Sequence, residues 1–317
     1  MIRMQSNDTA TSFEYKAGFV AVLGRPNVGK STLMNALLGQ KVAAVSPKPQ
    51  TTRRRQLGIL TLDNVQMIFD DTPGLHKPLH KLGEYMNEEA LSALKDCDVW
   101  LFVVDISRPP NEEDEMLAAA IAKALREQPQ HTVLMVCNKA DLLQGDQQQA
   151  HLPLYQALIP HADAVAVSAA QGENLDALLA AISEHLPVHP PYYDPEQLTD
   201  LYERDIAADL IREAALLNLE HEVPHGIAVR IDEFTERGEQ GAYIRATIFV
   251  ERESQKGIVI GKGGAMLKKI GSQARTEIEA MSGRKVFLEL RVKVRKNWRD
   301  DENVLSAFGY RPTNKQE

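Results

Sequence analysis

Nine residues near the start of the chain, GRPNVGKST, have the types and spacing to hold phosphate: Gly24, Arg25, Pro26, Asn27, Val28, Gly29, Lys30, Ser31 and Thr32. They match G-x-x-x-x-G-K-[ST] and lie between an apolar run that reads as a strand and a stretch of helical period. The glycines let backbone N–H groups curl around phosphate oxygens, and the start of the helix adds a favourable dipole. Lys30 would reach the β and γ phosphates, and Ser31 would ligate Mg²⁺.

Three later segments, in this order, specify the base as guanine. DTPG (Asp71, Thr72, Pro73, Gly74) ends an apolar strand, so Asp71 can hold the Mg²⁺ shell and the Gly74 N–H can meet the γ-phosphate. NKAD follows another strand: the Asp141 carboxylate can accept from guanine N1–H and N2–H₂, which adenine cannot supply, while Asn138 and Lys139 frame the base. SAA (Ser168, Ala169 and Ala170) ends the next strand, where a backbone N–H can meet guanine O6. Ligands of open α/β sheets collect at these strand ends. The segment VSPKPQTTRRRQLG would then be the switch that closes over γ-phosphate and metal. Thr52 is the first choice for the metal-sensing hydroxyl and Thr51 the second; a flexible surface loop is the plainer alternative for the whole segment.

A second glycine loop, GKGG (Gly261, Lys262, Gly263, Gly264), cannot repeat the first. It lacks the four-residue spacer, and no hydroxyl residue follows Lys262. It fits the G-x-x-G turn of a KH module, which clamps the backbone of about four single-stranded nucleotides. Lys262 would supply charge, Ile258 and Ile260 an apolar groove for splayed bases, and Lys268 and Lys269 an extended positive field.

Elements of two kinds must position these groups. GFVAVLG, VQMIFDD, DVWLFVVD, TVLMVCNK and DAVAVSA read as buried strands alternating with helix-period stretches, which predicts a mostly parallel sheet with helices on both faces. LPVHPPYYDPEQ, with four prolines, breaks that pattern and marks a connector. Beyond it the order helix, strand, strand, helix, helix, strand predicts an α+β KH domain of type II. The helix is placed over residues 196–223, and the last strand, KVFLELRVKVRK, alternates an apolar with a basic face. The organisation expected is a flexible tail over 1–16, an α/β P-loop GTPase domain over 17–187 and a linker over 188–200. A KH domain with a C-terminal tail fills 201–317, its core independent of the first.

Charge distribution agrees with a nucleic-acid partner. The 317-residue chain carries a net charge of −8, yet residues 251–299 hold thirteen Lys/Arg against five Asp/Glu. Cys97 and Cys137 have no metal-ligand spacing and read as buried free thiols, which suits a reducing cytosol. The N-terminal stretch lacks a signal-peptide core, and no apolar run approaches the roughly 18 residues of a membrane span. Guanine selectivity and the lack of a small-substrate motif argue against a metabolic kinase.

The stretches GRPNVGKSTLMNALLGQKV, PQTTR, DTPGLHKPLHKLGEYMN, NKAD and PPYY closely resemble the Era family of GTPases, and the likeness runs from about residue 17 to about residue 309. The resemblance implies a monomeric GTP/GDP switch requiring Mg²⁺, which binds the 3′ end of 16S ribosomal RNA and serves maturation of the small ribosomal subunit. It also implies a cytoplasmic protein that can associate peripherally with the inner membrane. A rival reading is therefore a membrane-surface switch in growth and division, with RNA binding secondary. Leu75 stands where Ras-like proteins carry the glutamine that orients water, so unaided hydrolysis should be slow. Relatives with that substitution can use K⁺ held by a loop asparagine. Asn27 occupies the position, and shaping the turn is its alternative role.

Overall fold

The structure, a computed structural model, describes residues 14–236, 238 and 241–310. Most of the expected N-terminal tail and the last seven residues lie outside them.

The first half is a six-stranded sheet in the order β2-β3-β1-β4-β5-β6. Its strands are β1 (Lys16–Leu23), β2 (Gln56–Leu62), β3 (Val65–Asp71), β4 (Val99–Asp105), β5 (Thr132–Asn138) and β6 (Asp163–Ala166). β2 runs antiparallel to β3 at one edge, and every other pairing is parallel. The helices are α1 (Lys30–Leu38), α2 (Lys81–Asp96), α3 (Glu112–Glu127), α4 (Gln147–Leu158) and α5 (Leu175–His185). They cover both faces. Val20, Val22 and Val103 pack toward α1 and α5, while Ala21, Leu23 and Phe102 pack toward α2 and α3. All seven residues of β4 are buried, which is why such strands read as unbroken apolar runs.

The second half has α6 (Glu203–Asn218), β7 (Ala228–Glu236), β8 (Ala242–Val250), α7 (Glu253–Ile260), α8 (Ala265–Ser282) and β9 (Val286–Val294). The sheet order is β7-β8-β9, antiparallel then parallel, so β9 is a free edge. Ile211 and Ala214 of α6, Val259 of α7 and Ile270, Ala274 and Ile278 of α8 meet Ile244, Ala246 and Ile248 of β8 in one core. This is the element order expected of the KH module.

Two expectations change. The helix placed over 196–223 begins only at Glu203 and ends at Asn218. Residues before it are held extended on the first sheet, where Leu198 O accepts from the Ile59 N–H (2.8 Å). The connector is pinned as well: the Gln66 side-chain oxygen accepts from the N–H groups of Tyr192 (2.7 Å) and Tyr193 (3.0 Å). Nor are the cores independent. Leu82, Tyr85 and Met86 of α2 pack with Phe249, Trp298 and Tyr310 of the second half, together with Val304 and Leu305 from a short final helix, α9 (Glu302–Ala307).

Candidate nucleotide site and nucleic-acid groove

The first glycine loop is bent by left-handed backbone at Asn27 (φ 64°) and Gly29 (φ 100°). A Cβ on Gly29 would lie 2.4 Å from the Asn138 amide nitrogen, and one on Gly24 would lie 2.6 Å from Val103 O. Both positions therefore require glycine. Lys30 is buried and donates to Gly24 O (3.0 Å) and Arg25 O (3.2 Å), across the mouth of the loop. Burial pulls its ammonium down to about 8, against the opposing pull of Asp71, and burial lifts the Asp71 carboxyl to about 6. Arg25 turns its side chain away and donates to Asp114 Oδ2 (3.0 Å) at the start of α3. Val28 is in the core, and its carbonyl accepts from Asn138 Nδ2 (2.8 Å).

Three oxygens converge beside the loop. Ser31 Oγ lies 2.7 Å from Asp71 Oδ2 and 2.8 Å from Thr52 Oγ1, and Thr52 Oγ1 donates to the same carboxylate oxygen (3.2 Å). Asp71 Oδ1 is buried without a hydrogen-bond partner among the described residues. This set of hard oxygen donors around an incompletely satisfied carboxylate fits Mg²⁺. Thr51 Oγ1 instead donates back to Lys48 O (2.8 Å), so of the two candidate hydroxyls it is Thr52 that reaches the cluster.

The turn at DTPG lies against the loop, for a Cβ on Gly74 would come within 2.6 Å of Pro26 N. Thr72 donates to Val22 O (2.9 Å) and serves the fold. Leu75 is 4% exposed and points into the core beside Leu23 and Ala93, so it offers nothing to a water molecule. His76, which sequence reasoning missed, borders the cavity of about 760 Å³ in front of the loop. Its Nδ1–H donates to Gly74 O (3.0 Å), leaving Nε2 to accept from the Gln50 amide (3.1 Å). Position alone, directly after Leu75, was the one available signal.

At the base end, Asp141 Oδ1 accepts from Ser168 Oγ (2.6 Å) and Asn138 Oδ1 from the Ala169 N–H (3.0 Å). Lys139 donates to Asn27 O and to Asp105 Oδ2, both at 2.7 Å. Burial pushes the Asp105 carboxyl up, but hydrogen bonds from Lys139 and Ser107 outweigh it and hold the group below the usual carboxylate range. Asp105, also missed, ends an apolar strand as Asp71 does. The Asn27 amide donates to Pro47 O (3.0 Å), linking the loop to the switch segment.

In the second half, GKGG joins α7 to α8 with positive φ at Gly261 (71°), Gly263 (59°) and Gly264 (80°). Lys262, Lys268 and Lys269 are exposed, and none forms an ion pair among the described residues. A groove of about 470 Å³ runs between α8 and β9, with Gly264 at one end and apolar walls from Leu267, Leu288 and Leu290. Gly271 lets the strand approach, since a Cβ there would sit 3.3 Å from Leu290. Ile258 is 50% exposed on α7, and neither it nor Ile260 belongs to this lining. The apolar walls of this groove come from α8 and β9.

The nucleotide site is physically joined to the second half. Arg212 of α6, 3% exposed, donates to Thr51 O and to Gln50 O (3.2 Å). Lys48 donates to Leu216 O (2.5 Å) and Leu219 O at the C-terminal end of α6, where the helix dipole favours a cation. Arg53 donates to Ile227 O (2.6 Å) and His225 O (3.1 Å), with its guanidinium over the Trp298 ring. The second half thus grips the switch on both sides of Thr52.

Comparison with known proteins gives this arrangement a lineage. Residues 19–139 match the family described as 50S ribosome-binding GTPase, and residues 222–299 match the KH domain. The chain is 44% identical to GTPase Era of Ruminiclostridium cellulolyticum over 301 residues, covering 95% of this chain and 99% of the relative. It belongs to the Era family of GTPases. GTPase Era of Caldicellulosiruptor saccharolyticus is 47% identical over 298 residues, with 93% of this chain and 98% of the relative covered. Two solved Era structures, each 40% identical and covering 93% of this chain and 99% of theirs, superpose closely. One is Era with MgGDPNP and nucleotides 1506–1542 of 16S ribosomal RNA (TM-score 0.86). The other is a point variant of Aquifex aeolicus Era bound to GDP·AlF₄⁻ (TM-score 0.87). As an Era-family member the chain is a GTPase, and GTP, GDP and Mg²⁺ are its ligands.

Proposed function

We propose that the chain is a GTP-hydrolysing switch that binds the single-stranded 3′ end of 16S ribosomal RNA and acts in assembly and maturation of the small ribosomal subunit. The observation that carries this reading is the grip of the RNA-binding half on the switch: Arg212, the end of α6 and the Arg53 acceptors Ile227 and His225 bracket Thr52, the residue that reaches Ser31 and Asp71. The Era structure that holds both a GTP analogue and 16S ribosomal RNA supports the choice of RNA.

In this reading Ser31, Asp71 and Thr52 hold Mg²⁺, which when bound neutralises charge between the β and γ phosphates. Lys30, released from its backbone acceptors, meets the phosphates, and the backbone N–H groups of the glycine loop cradle them. Asp141 accepts from guanine N1–H and N2–H₂, Ser168 Oγ steadies that carboxylate, and Asn138 fixes the Ala169 backbone beside the base. With Leu75 in the core, no side chain at that position orients the attacking water, so unaided hydrolysis is slow. Asn27 is the candidate K⁺ ligand. Lys262 and the glycines of GKGG clamp the RNA backbone, and the groove beside α8 takes the bases.

The same reading places the protein in the cytoplasm with ribosomal subunits, with any inner-membrane association peripheral; among the described residues no helix is long and apolar enough to cross a membrane. Co-sedimentation tests it. The protein should travel with small subunits in GTP and leave them in GDP. Recovery with membranes instead, insensitive to removal of ribosomes, would support the growth-signalling alternative.

A further inference from the structure

The groove beside α8 has two ends, and GKGG accounts for one. From Gly264 the helix runs antiparallel to β9, so the far end of the groove is met near Arg275, about 16 Å along the helix axis. There the lining includes Phe287, which is 67% exposed. β9 is the edge strand, and Phe287 sits at its start, directly paired with Tyr243 of β8. The two rings lie nearly parallel, 19° apart with centroids at 5.8 Å. The Tyr243 hydroxyl donates to Glu289 Oε2 (2.7 Å), which fixes the lower ring. Glu289 is in turn paired with Arg291 (2.7 Å), so the acidic charge beside the stack is balanced. Across the groove, Arg275 is exposed and forms no ion pair among the described residues.

We propose that Phe287, backed by Tyr243, is a stacking platform for a base of the bound single-stranded RNA beyond those held at GKGG, with Arg275 meeting the phosphate beside it. The inference rests on the reading of the groove as an RNA site. A G-x-x-G clamp engages about four nucleotides, and a strand that continues along the groove and over the β9 edge meets the exposed ring, which alternation places on the face of β9 opposite Leu288 and Leu290. An aromatic face suits this role because every base has a π-face, so stacking adds affinity without demanding one sequence. Charge complementarity favours RNA over an apolar peptide: Lys268 and Arg275 line the groove, with Lys262 in the adjoining loop, and none has an acidic partner among the described residues.

The test uses the full chain with a GTP analogue and roughly eight-nucleotide RNAs from the 3′ end of 16S ribosomal RNA, each carrying 2-aminopurine at a different position. Affinity is read by titration and stacking by quenching of the probe. The expected result is that Phe287→Ala weakens binding on the order of ten-fold and abolishes quenching at one position outside the clamp. Phe287→Trp should retain both, and Arg275→Gln should lower the salt dependence of binding while keeping the quench. Because Phe287 is exposed, these variants should fold as the parent does, with circular dichroism as the check. Unchanged affinity and quenching in Phe287→Ala would overturn the proposal while leaving the groove an RNA site. If the parent itself bound none of the RNAs, the reading of the groove would fall, and the platform with it.

Discussion

Arg212→Ala isolates the joint between the two sites. The guanidinium donates to the carbonyls of Gln50 and Thr51, the two residues before Thr52, and also pairs with Asp209 (3.1 Å). Hydrogen bonds to a charged group contribute about 1.5–3 kcal/mol each. Water can replace part of this once the side chain is gone, so about 2 kcal/mol of the closed switch should be lost. At 1.36 kcal/mol per decade, that is roughly a thirty-fold fall in single-turnover GTP hydrolysis. GDP affinity should change less than about three-fold, because Asp141, Asn138 and the glycine loop make no contact with Arg212 and the energy involved is the switch's alone. Arg212→Lys keeps the charge but loses the fork of donors, so its rate should fall between the two. The assay is quench-flow hydrolysis beside a fluorescent-GDP titration, with thermal unfolding as the folding control. Parental hydrolysis in a folded Arg212→Ala protein would refute the reasoning. Equal losses of hydrolysis and GDP affinity would also refute it, since the defect would then lie in the whole domain.

Three further outcomes follow from the site. Asp141→Asn should shift preference from guanine toward xanthine nucleotides, because an amide cannot accept from both guanine donors; competition titrations with GTP and xanthosine triphosphate check this, and an unchanged preference would remove Asp141 from the base. Thr52→Val should lower hydrolysis and Mg²⁺ affinity at least ten-fold, whereas Thr51→Val, whose hydroxyl only closes a turn on Lys48, should stay within about three-fold; the reverse ranking would reassign the metal-sensing hydroxyl. Hydrolysis should run faster in K⁺ than in Na⁺, with Asn27→Ala erasing the difference, and equal rates in both salts would leave Asn27 only its bond to Pro47.

Much of the fold was legible where one physical signal dominates. The central parallel strands are buried on both faces, so VWLFVVD and VLMVCN announce themselves. β2 escaped because QLGILTL is an edge strand that follows a basic run and has only part of its residues buried. α4 escaped because glutamines fill its first turn and Pro153 lies inside it. The glycine loop, DTPG, NKAD and GKGG could be placed because their chemistry depends on fixed local spacing. The joint between halves could not. Nothing in TTRRRQ says that Arg53 will be buried against Trp298 while Arg55 pairs with Asp70, because those partners lie far away in sequence. For the same reason the sequence near GKGG points to Ile258 and Ile260 but not to Leu288 and Leu290, which only the return of β9 beside α8 brings to the groove.

The central claim is that one chain couples the nucleotide to the RNA, and coupling of two ligands is reciprocal by thermodynamic necessity. The direct measurement is the affinity of the full chain for a single-stranded 16S 3′-end RNA, in a non-hydrolysable GTP analogue and in GDP. A double variant, Lys262→Asp with Gly263→Asp, provides the control. The account predicts at least about five-fold tighter RNA binding with the GTP analogue. In the double variant RNA binding should be lost in both states, through repulsion of the phosphates and a side chain in the left-handed turn, while GTP affinity stays unchanged. Equal RNA affinity in the two nucleotide states would contradict it.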